Sequence, residues 1–345
     1  MKSKRFFFTS FATIIVAFGL VCCSQKSTTE LSIRTEALEA SAWDVSKWIS
    51  AVDAPVIEKR TDDRAADGAS WFVTTIKPEN KVVSAKWMTT GLGVFELYVN
   101  GNPIGKEILK PGFTHPLKTR RSFTYDITNA FQCNVGAENI LSAQVTPGWW
   151  ADKIVTPGKY EGMLGKKCAF RSVLELTFAD GTTKLYGTDL ENWKAGIAGP
   201  VKHAAIFDGE EYDAREKMGY ECIDKLSTPE ENTEFTGEIL PSNGAEIYLR
   251  NDLTISPVLA YIWEGIEGAT EEEYGKVVIT QKFTPNTPMT IKPGETLVVD
   301  FGQNCAAVPS FVFKAAEGTV LTCLPSELLN DGNGAKSRGM DGPEG

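Results

Sequence analysis

The chain has little positive charge and almost no histidine. Lys and Arg number 35 against 45 Asp and Glu, for a formal net charge of -10. No basic face is therefore available to neutralise phosphates, and nucleic acid is excluded as a partner. His115 and His203 are the 2 histidines. Without an HExxH pair or a Cys/His cluster, no zinc centre is expected. No serine occupies a Gly-x-Ser-x-Gly elbow, so His115, between Thr114 and Pro116, reads as a turn residue rather than a triad member. There is no CxxC pair. Cys133, Cys168, Cys222, Cys305 and Cys323 are widely spaced and odd in number, and they read as small buried residues in strands. One disulfide is open to them in an oxidising compartment, with no pair selected. Long amphipathic helical periods are nearly absent.

The one long apolar run stands at the start. Lys2, Lys4 and Arg5 precede the apolar or small stretch Phe6 to Val21, the pattern of an export signal and too short for a comfortable membrane helix. It ends in Leu20-Val21-Cys22-Cys23-Ser24, which resembles a bacterial lipobox with Cys23 as the acylated residue. Residues 1–23 are thus expected to be a lipoprotein signal, placing the mature chain on a membrane facing the periplasm or the cell surface. Secretion to the periplasm without an anchor is the alternative. The Ser-, Thr- and Glu-rich residues 24–42 suit a flexible tether.

From Ala69 onward the pattern is that of strands. Ser70 to Ile76, Lys81 to Thr89, Gly93 to Val99, Ser122 to Ile127, Asn139 to Val145 and Ala169 to Phe178 are rich in β-branched and aromatic residues and bounded by turn formers. Asn100-Gly101 is a strong hairpin signal, because both residues accept positive φ. Many short strands with regular turns predict a β-sandwich over residues 43–218. Residues 219–244 turn polar and acidic and read as a linker. A second β unit is expected over 245–345, with strands at Ile255 to Trp263, Lys276 to Phe283 and Leu297 to Phe301 and a turn at Pro293-Gly294. The run Glu271-Glu272-Glu273 reads as a solvated loop. The Gly- and Asn-rich end from Asn330 reads as open loop, so the complete protein is expected to extend further.

Several segments, in order, resemble bacterial α-L-rhamnosidases. They are Leu97-Tyr98-Val99-Asn100-Gly101 with Pro111-Gly112-Phe113-Thr114, Tyr125-Asp126-Ile127-Thr128 with Gly136 to Leu141, and Gly148-Trp149-Trp150. Thr188-Asp189 with Trp193, then Asp208 to Arg215, follow. Val299 to Asn304, Gly318-Thr319 and Glu327 to Gly332 continue the match in the second unit. The resemblance implies an all-β chain: an N-terminal jelly-roll-like β-sandwich followed by the start of a concanavalin-like β-sandwich. It also implies that the general acid and base of an inverting glycoside hydrolase lie in an (α/α)6 barrel further along, to which nothing in these residues corresponds. No catalytic residue is therefore assigned here.

Carbohydrate contact is the role left for the side chains present. Adjacent tryptophans can offer a ring to the C–H face of a sugar, so Trp149 and Trp150, before the loop with Pro157, Gly158, Gly162 and Gly165, form a candidate platform, although one indole of the pair is expected in the core. Asp208, Glu210, Asp213 and Arg215 complete the candidate set. Glycoside hydrolysis would need two opposed carboxyls, about 6.5–9.5 Å apart in an inverting pair. The simpler account gives Asp208-Gly209 to a turn and pairs Asp213 with Arg215 or with backbone amides. Lys118, Arg120 and Arg121 are candidates for an acidic sugar, or more simply residues of a solvated strand edge. No cofactor is required; calcium is an option in the first β domain, because some relatives of that domain bind rhamnose through it, which calls for oxygen ligands. Asn330-Asp331-Gly332-Asn333 lacks the distal glutamate of an EF-hand and reads as a turn.

The expected partners are a rhamnose-containing oligosaccharide or polysaccharide, the catalytic domain of the same protein, and a membrane reached through the lipid anchor. The sequence thus reads as the exported, non-catalytic amino-terminal portion of an α-L-rhamnosidase that removes terminal rhamnose from plant polysaccharides or glycosides. The alternative is a stand-alone, carbohydrate-binding surface lipoprotein with no enzymatic activity.

Overall fold

The computed structural model describes residues 14–17, 31–56, 68–152, 165–206, 209–244, 246–267, 276–283 and 287–326. The chain divides into two units, one formed by Ser24–Leu249 and the other by Met1–Cys23 with Arg250–Gly345.

The Ser24–Leu249 unit is built on two sheets. The smaller runs Trp193–Ile197, Ser70–Ile76, Asn139–Thr146, Val94–Val99, Asn102–Ile104, all antiparallel. The larger centres on Ala169–Phe178, Val82–Leu92 and Thr119–Asp126. Alternation explains the layering. In Val94–Val99 the buried residues are Phe95, Leu97 and Val99, while Val94, Glu96 and Tyr98 are half-exposed. Inward-facing rings meet at Phe170, whose centroid lies 5.8 Å from Phe72, 6.2 Å from Phe95 and 5.8 Å from Trp193. These apolar rings, taken from both sheets, form the core of a jelly-roll-like sandwich.

The turns follow local chemistry. Asn100 and Gly101 have φ of 51° and 77°, the double positive φ of a hairpin turn whose twist matches the strands. The Asn100 amide donates to Ala130 O at 3.0 Å, and its Oδ1 accepts from Ile140 N at 2.9 Å. Asp126 Oδ1 accepts from Thr128 N at 2.9 Å, closing the turn after Thr119–Asp126.

Residues 219–244, expected to be a linker, are instead part of this unit. Glu230–Glu231 pairs with Ile49–Ser50, and Glu238–Pro241 runs parallel to Thr119–Asp126. Phe235 is 5% exposed and packs edge-on to Trp48, while Leu226 joins Trp71 and Val73 on the outer face of Ser70–Ile76. A few apolar residues spaced through an acidic stretch suffice to bind it down. The tether is likewise shorter than expected, because Ile33–Arg34 pairs with Thr119–Asp126 and Ala42 and Trp43 are buried.

In the other unit, Leu259–Glu267 lies between Lys276–Phe283 and Thr296–Asp300, and Ile14–Ala17 lies between Met289–Ile291 and Val312–Lys314. Ile14–Ala17 falls within the stretch read as an export signal. Apolar, β-branched residues pair readily with an open sheet edge. Ile262 and Ile291 form a small core with Leu297 and Ala315. Gly294 takes a φ of 85° at the expected turn, and Gly302 takes a φ of 74°. The Glu271 run and the segment from Asn330 lie outside the described residues.

No disulfide joins any two of the five described cysteines. Cys168 and Cys222 are buried and Cys133 half-buried, but Cys305 and Cys323 are exposed, and all five lie outside the strands, contrary to the expectation of five strand-core residues.

Candidate functional site

The short helix Gly148–Ala151 follows Asn139–Thr146 and separates the two tryptophans. Consecutive helical side chains point about 100° apart, so one can face the core while its neighbour faces out. Trp150 is the inner one, 3% exposed, and its indole N–H donates to Lys167 O at 3.0 Å. Gly165 lies flat against that indole, where any Cβ would collide with the ring. Phe235 meets the same ring edge-on at 6.4 Å. Trp150 is therefore a core residue. Trp149 is half-buried and meets the exposed Phe113 at 6.3 Å in an edge-to-face pair.

These residues rim a shallow cleft that brings the Pro111-Gly112-Phe113-Thr114 segment beside the tryptophan pair, with Gly91 and Gly93 beside them and Arg120 at its inner side. Its enclosed space is about 10 Å³, room for a single water, so a ligand would lie across the cleft rather than inside it.

The loop carrying Phe113 is anchored by groups that sequence reasoning passed over. Lys110 is buried and donates to Glu96 Oε2 at 3.0 Å and to Glu107 O at 2.6 Å. Glu107 is also buried, and its Oε2 accepts from Tyr125 OH at 2.7 Å and from Lys106 N at 3.0 Å. Burial raises the Glu96 pKa even against the attraction of Lys110, and burial, reinforced by Glu107, raises that of Tyr125. The Tyr125-Asp126 motif was the available signal; its partner could not be read because 18 residues separate Tyr125 from Glu107.

Arg120 departs furthest from expectation. The edge read as solvated is covered by Glu238–Pro241, so Lys118 is exposed and Arg121 donates to Pro241 O at 3.1 Å, but Arg120 is only 5% exposed. Its guanidinium lies 4.6 Å from the Trp150 ring centre and 5.4 Å from that of Phe235. Burial lowers its pKa to about 10.

The acidic candidates lie apart from this cleft, on the hairpin Val201–Ala205 with Gly209–Tyr212. Glu210 is exposed opposite Ala204, and its pKa is raised by desolvation. Asp213 is clamped by Arg215, whose Nε and Nη2 donate to its two carboxylate oxygens at 2.8 and 2.6 Å, holding the Asp213 pKa well below the ordinary value. Asp208 and the acylation candidate Cys23 lie outside the described residues. Glu210, Asp213 and Arg215 are not among the residues that line the cleft beside Trp149. Among the described residues no three His, Cys, Asp or Glu side chains gather around a point where a metal ion could sit.

A twin-sheet sandwich with a surface aromatic cleft defines this part of the chain as a jelly-roll-like β-sandwich domain. Residues 80–236 match the family model described as "Alpha-L-rhamnosidase N-terminal domain". Over these residues the chain is similar to an α-L-rhamnosidase N-terminal domain. The chain is 28% identical over 297 residues to an α-L-rhamnosidase of Alteromonas sp. (strain LOR), covering 86% of this chain and 29% of that protein. It is 36% identical over 140 residues to an α-L-rhamnosidase of Streptomyces avermitilis, covering 41% of this chain and 13% of that one. The native α-L-rhamnosidase of Aspergillus terreus shares the fold, with a TM-score of 0.56 at 22% identity over 70% of this chain and 26% of that chain. The chain therefore spans less than a third of the length of these relatives.

Proposed function

We propose that the chain is the non-catalytic amino-terminal portion of an exported α-L-rhamnosidase that removes terminal rhamnose from plant polysaccharides or glycosides, and that its sandwich contributes sugar contact through Trp149 and Phe113. The observation that carries this reading is the family match over residues 80–236, which spans most of the two central sheets. The relatives supply the activity, and the cleft supplies a ring face of the kind a sugar packs on. Export is supported by the basic start and apolar run, and anchoring by Cys23 in its lipobox-like setting. Calcium enters no step of this reading.

The absence of chemistry in these residues follows from the geometry that hydrolysis needs. Of the acidic candidates described, Asp213 is occupied by Arg215 and Glu210 faces Ala204 on an exposed hairpin, so they do not form a carboxyl pair flanking a glycosidic bond. The 345-residue chain should release no 4-nitrophenol from 4-nitrophenyl α-L-rhamnoside, while calorimetric titration with methyl α-L-rhamnoside, with and without calcium, should detect binding that Trp149→Ala removes. Turnover abolished by Glu210→Gln would overturn the non-catalytic reading, and titrations that show no heat would overturn sugar contact.

A further inference from the structure

Among the described residues, Arg120 is a buried cation with no counter-ion. Its described contacts are two long ones, Nη1 to the Thr114 hydroxyl and to Thr119 O, each at 3.4 Å, and its Nε is buried with no hydrogen-bond partner. In the segment that carries Phe235, Glu230 binds Lys167 Nζ at 2.5 Å and Glu234 accepts from Lys166 N at 2.6 Å. The Trp150 and Phe235 rings compensate part of the desolvation by facing the guanidinium, but an aromatic face takes no N–H of the fork in the plane where a carboxylate would. A buried charge normally brings its partner with it. Here the open side of the guanidinium is the cleft rimmed by Trp149, Phe113 and Thr114.

We propose that this cleft takes a carboxylate-bearing sugar, with the acid group at Arg120 and the ring of the sugar across Trp149 and Phe113. The inference rests on the sugar-contact reading above and narrows it to a class: the glycan held is a uronate-bearing one. A carboxylate oxygen accepts a charge-assisted hydrogen bond from a guanidinium. One such oxygen, about the size of the single water the enclosed space admits, reaches Arg120 while the rest of the sugar lies across the rim. The chain's overall negative charge would otherwise repel such a ligand, which makes a local, desolvated cation the one means of selecting it.

The test is titration of the full chain, followed by calorimetry and tryptophan fluorescence, with methyl β-D-glucuronide, its neutral methyl ester, methyl α-L-rhamnoside and glucose 6-sulfate. The glucuronide should bind at least about tenfold more tightly than its ester, with an advantage that shrinks as sodium chloride is raised. Arg120→Gln should erase that advantage, and Lys118→Gln, at an exposed position, should leave it intact. Should Arg120→Gln not fold, Phe113→Ala, at a residue 62% exposed, provides the second variant and should weaken glucuronide and ester together. Equal affinity for acid and ester, or a preference for the sulfate over the glucuronide, would overturn the proposal. If the rhamnoside binds through Trp149 while the acid gains nothing, this inference alone fails; if none of the four binds, the sugar-contact reading fails with it.

Discussion

Asp213 and Arg215 stand two residues apart, close enough for the guanidinium to grip both carboxylate oxygens and far enough for the backbone to turn between them. That pair was the simpler of two readings of an acidic segment, and the geometry selects it. Its pH signature follows from the sign of the shift. The folded pKa of Asp213 lies below its ordinary 3.8, so the contribution of the pair is complete above that value and is lost as pH falls through the lower, folded one. Asp213→Asn should lower the melting temperature slightly at pH 7, and the difference from the wild type should shrink progressively as pH is lowered below 3.8, as measured by scanning calorimetry. A difference that persists unchanged at low pH would show that something other than the ionised pair is lost. The effect is small because the pair is exposed.

At the scale of elements, the strands were legible and their coverings were not. Ser70–Ile76 was bounded correctly from β-branched and aromatic content, yet nearly every residue in it is buried, because Trp71 and Val73 are covered from outside by residues near Leu226. Such coverage leaves no periodic trace in a segment dominated by Glu, Pro, Ser and Thr. Phe235 tests the point. It meets Trp48 at 5.8 Å and Trp150 at 6.4 Å, and truncating a buried aromatic costs about 3–5 kcal/mol. Phe235→Ala should therefore lower the urea midpoint by a corresponding amount and expose residues 230–241 to proteolysis before the rest of the sandwich. A loss under about 0.5 kcal/mol, the size of an ordinary surface substitution, would return residues 219–244 to the status of a linker.

For the whole molecule, the division into units carries its own expectation. Ser24–Leu249 contains the aromatic core, both sheets, the packed 219–244 segment and the cleft. Expressed alone, it should unfold in one cooperative calorimetric transition, with the cleft residues still responding to ligand by tryptophan fluorescence. A broad, non-cooperative melt would mean that its stability depends on residues beyond Leu249. The relatives extend well beyond the length matched here.

The sequence by itself determined the all-β character, the strand positions, the Asn100-Gly101 turn and the rhamnosidase resemblance, because these depend on residue type and on neighbours a few positions away. Only the tertiary structure decided which tryptophan is core and which is rim, which acid is paired, and that Arg120 is sealed beneath a cleft with no carboxylate beside it among the described residues. Those outcomes depend on segments such as Thr114, Trp150 and Phe235 meeting around one guanidinium, and burial is a property of what folds over a residue, which no local pattern of charge or hydrophobicity encodes.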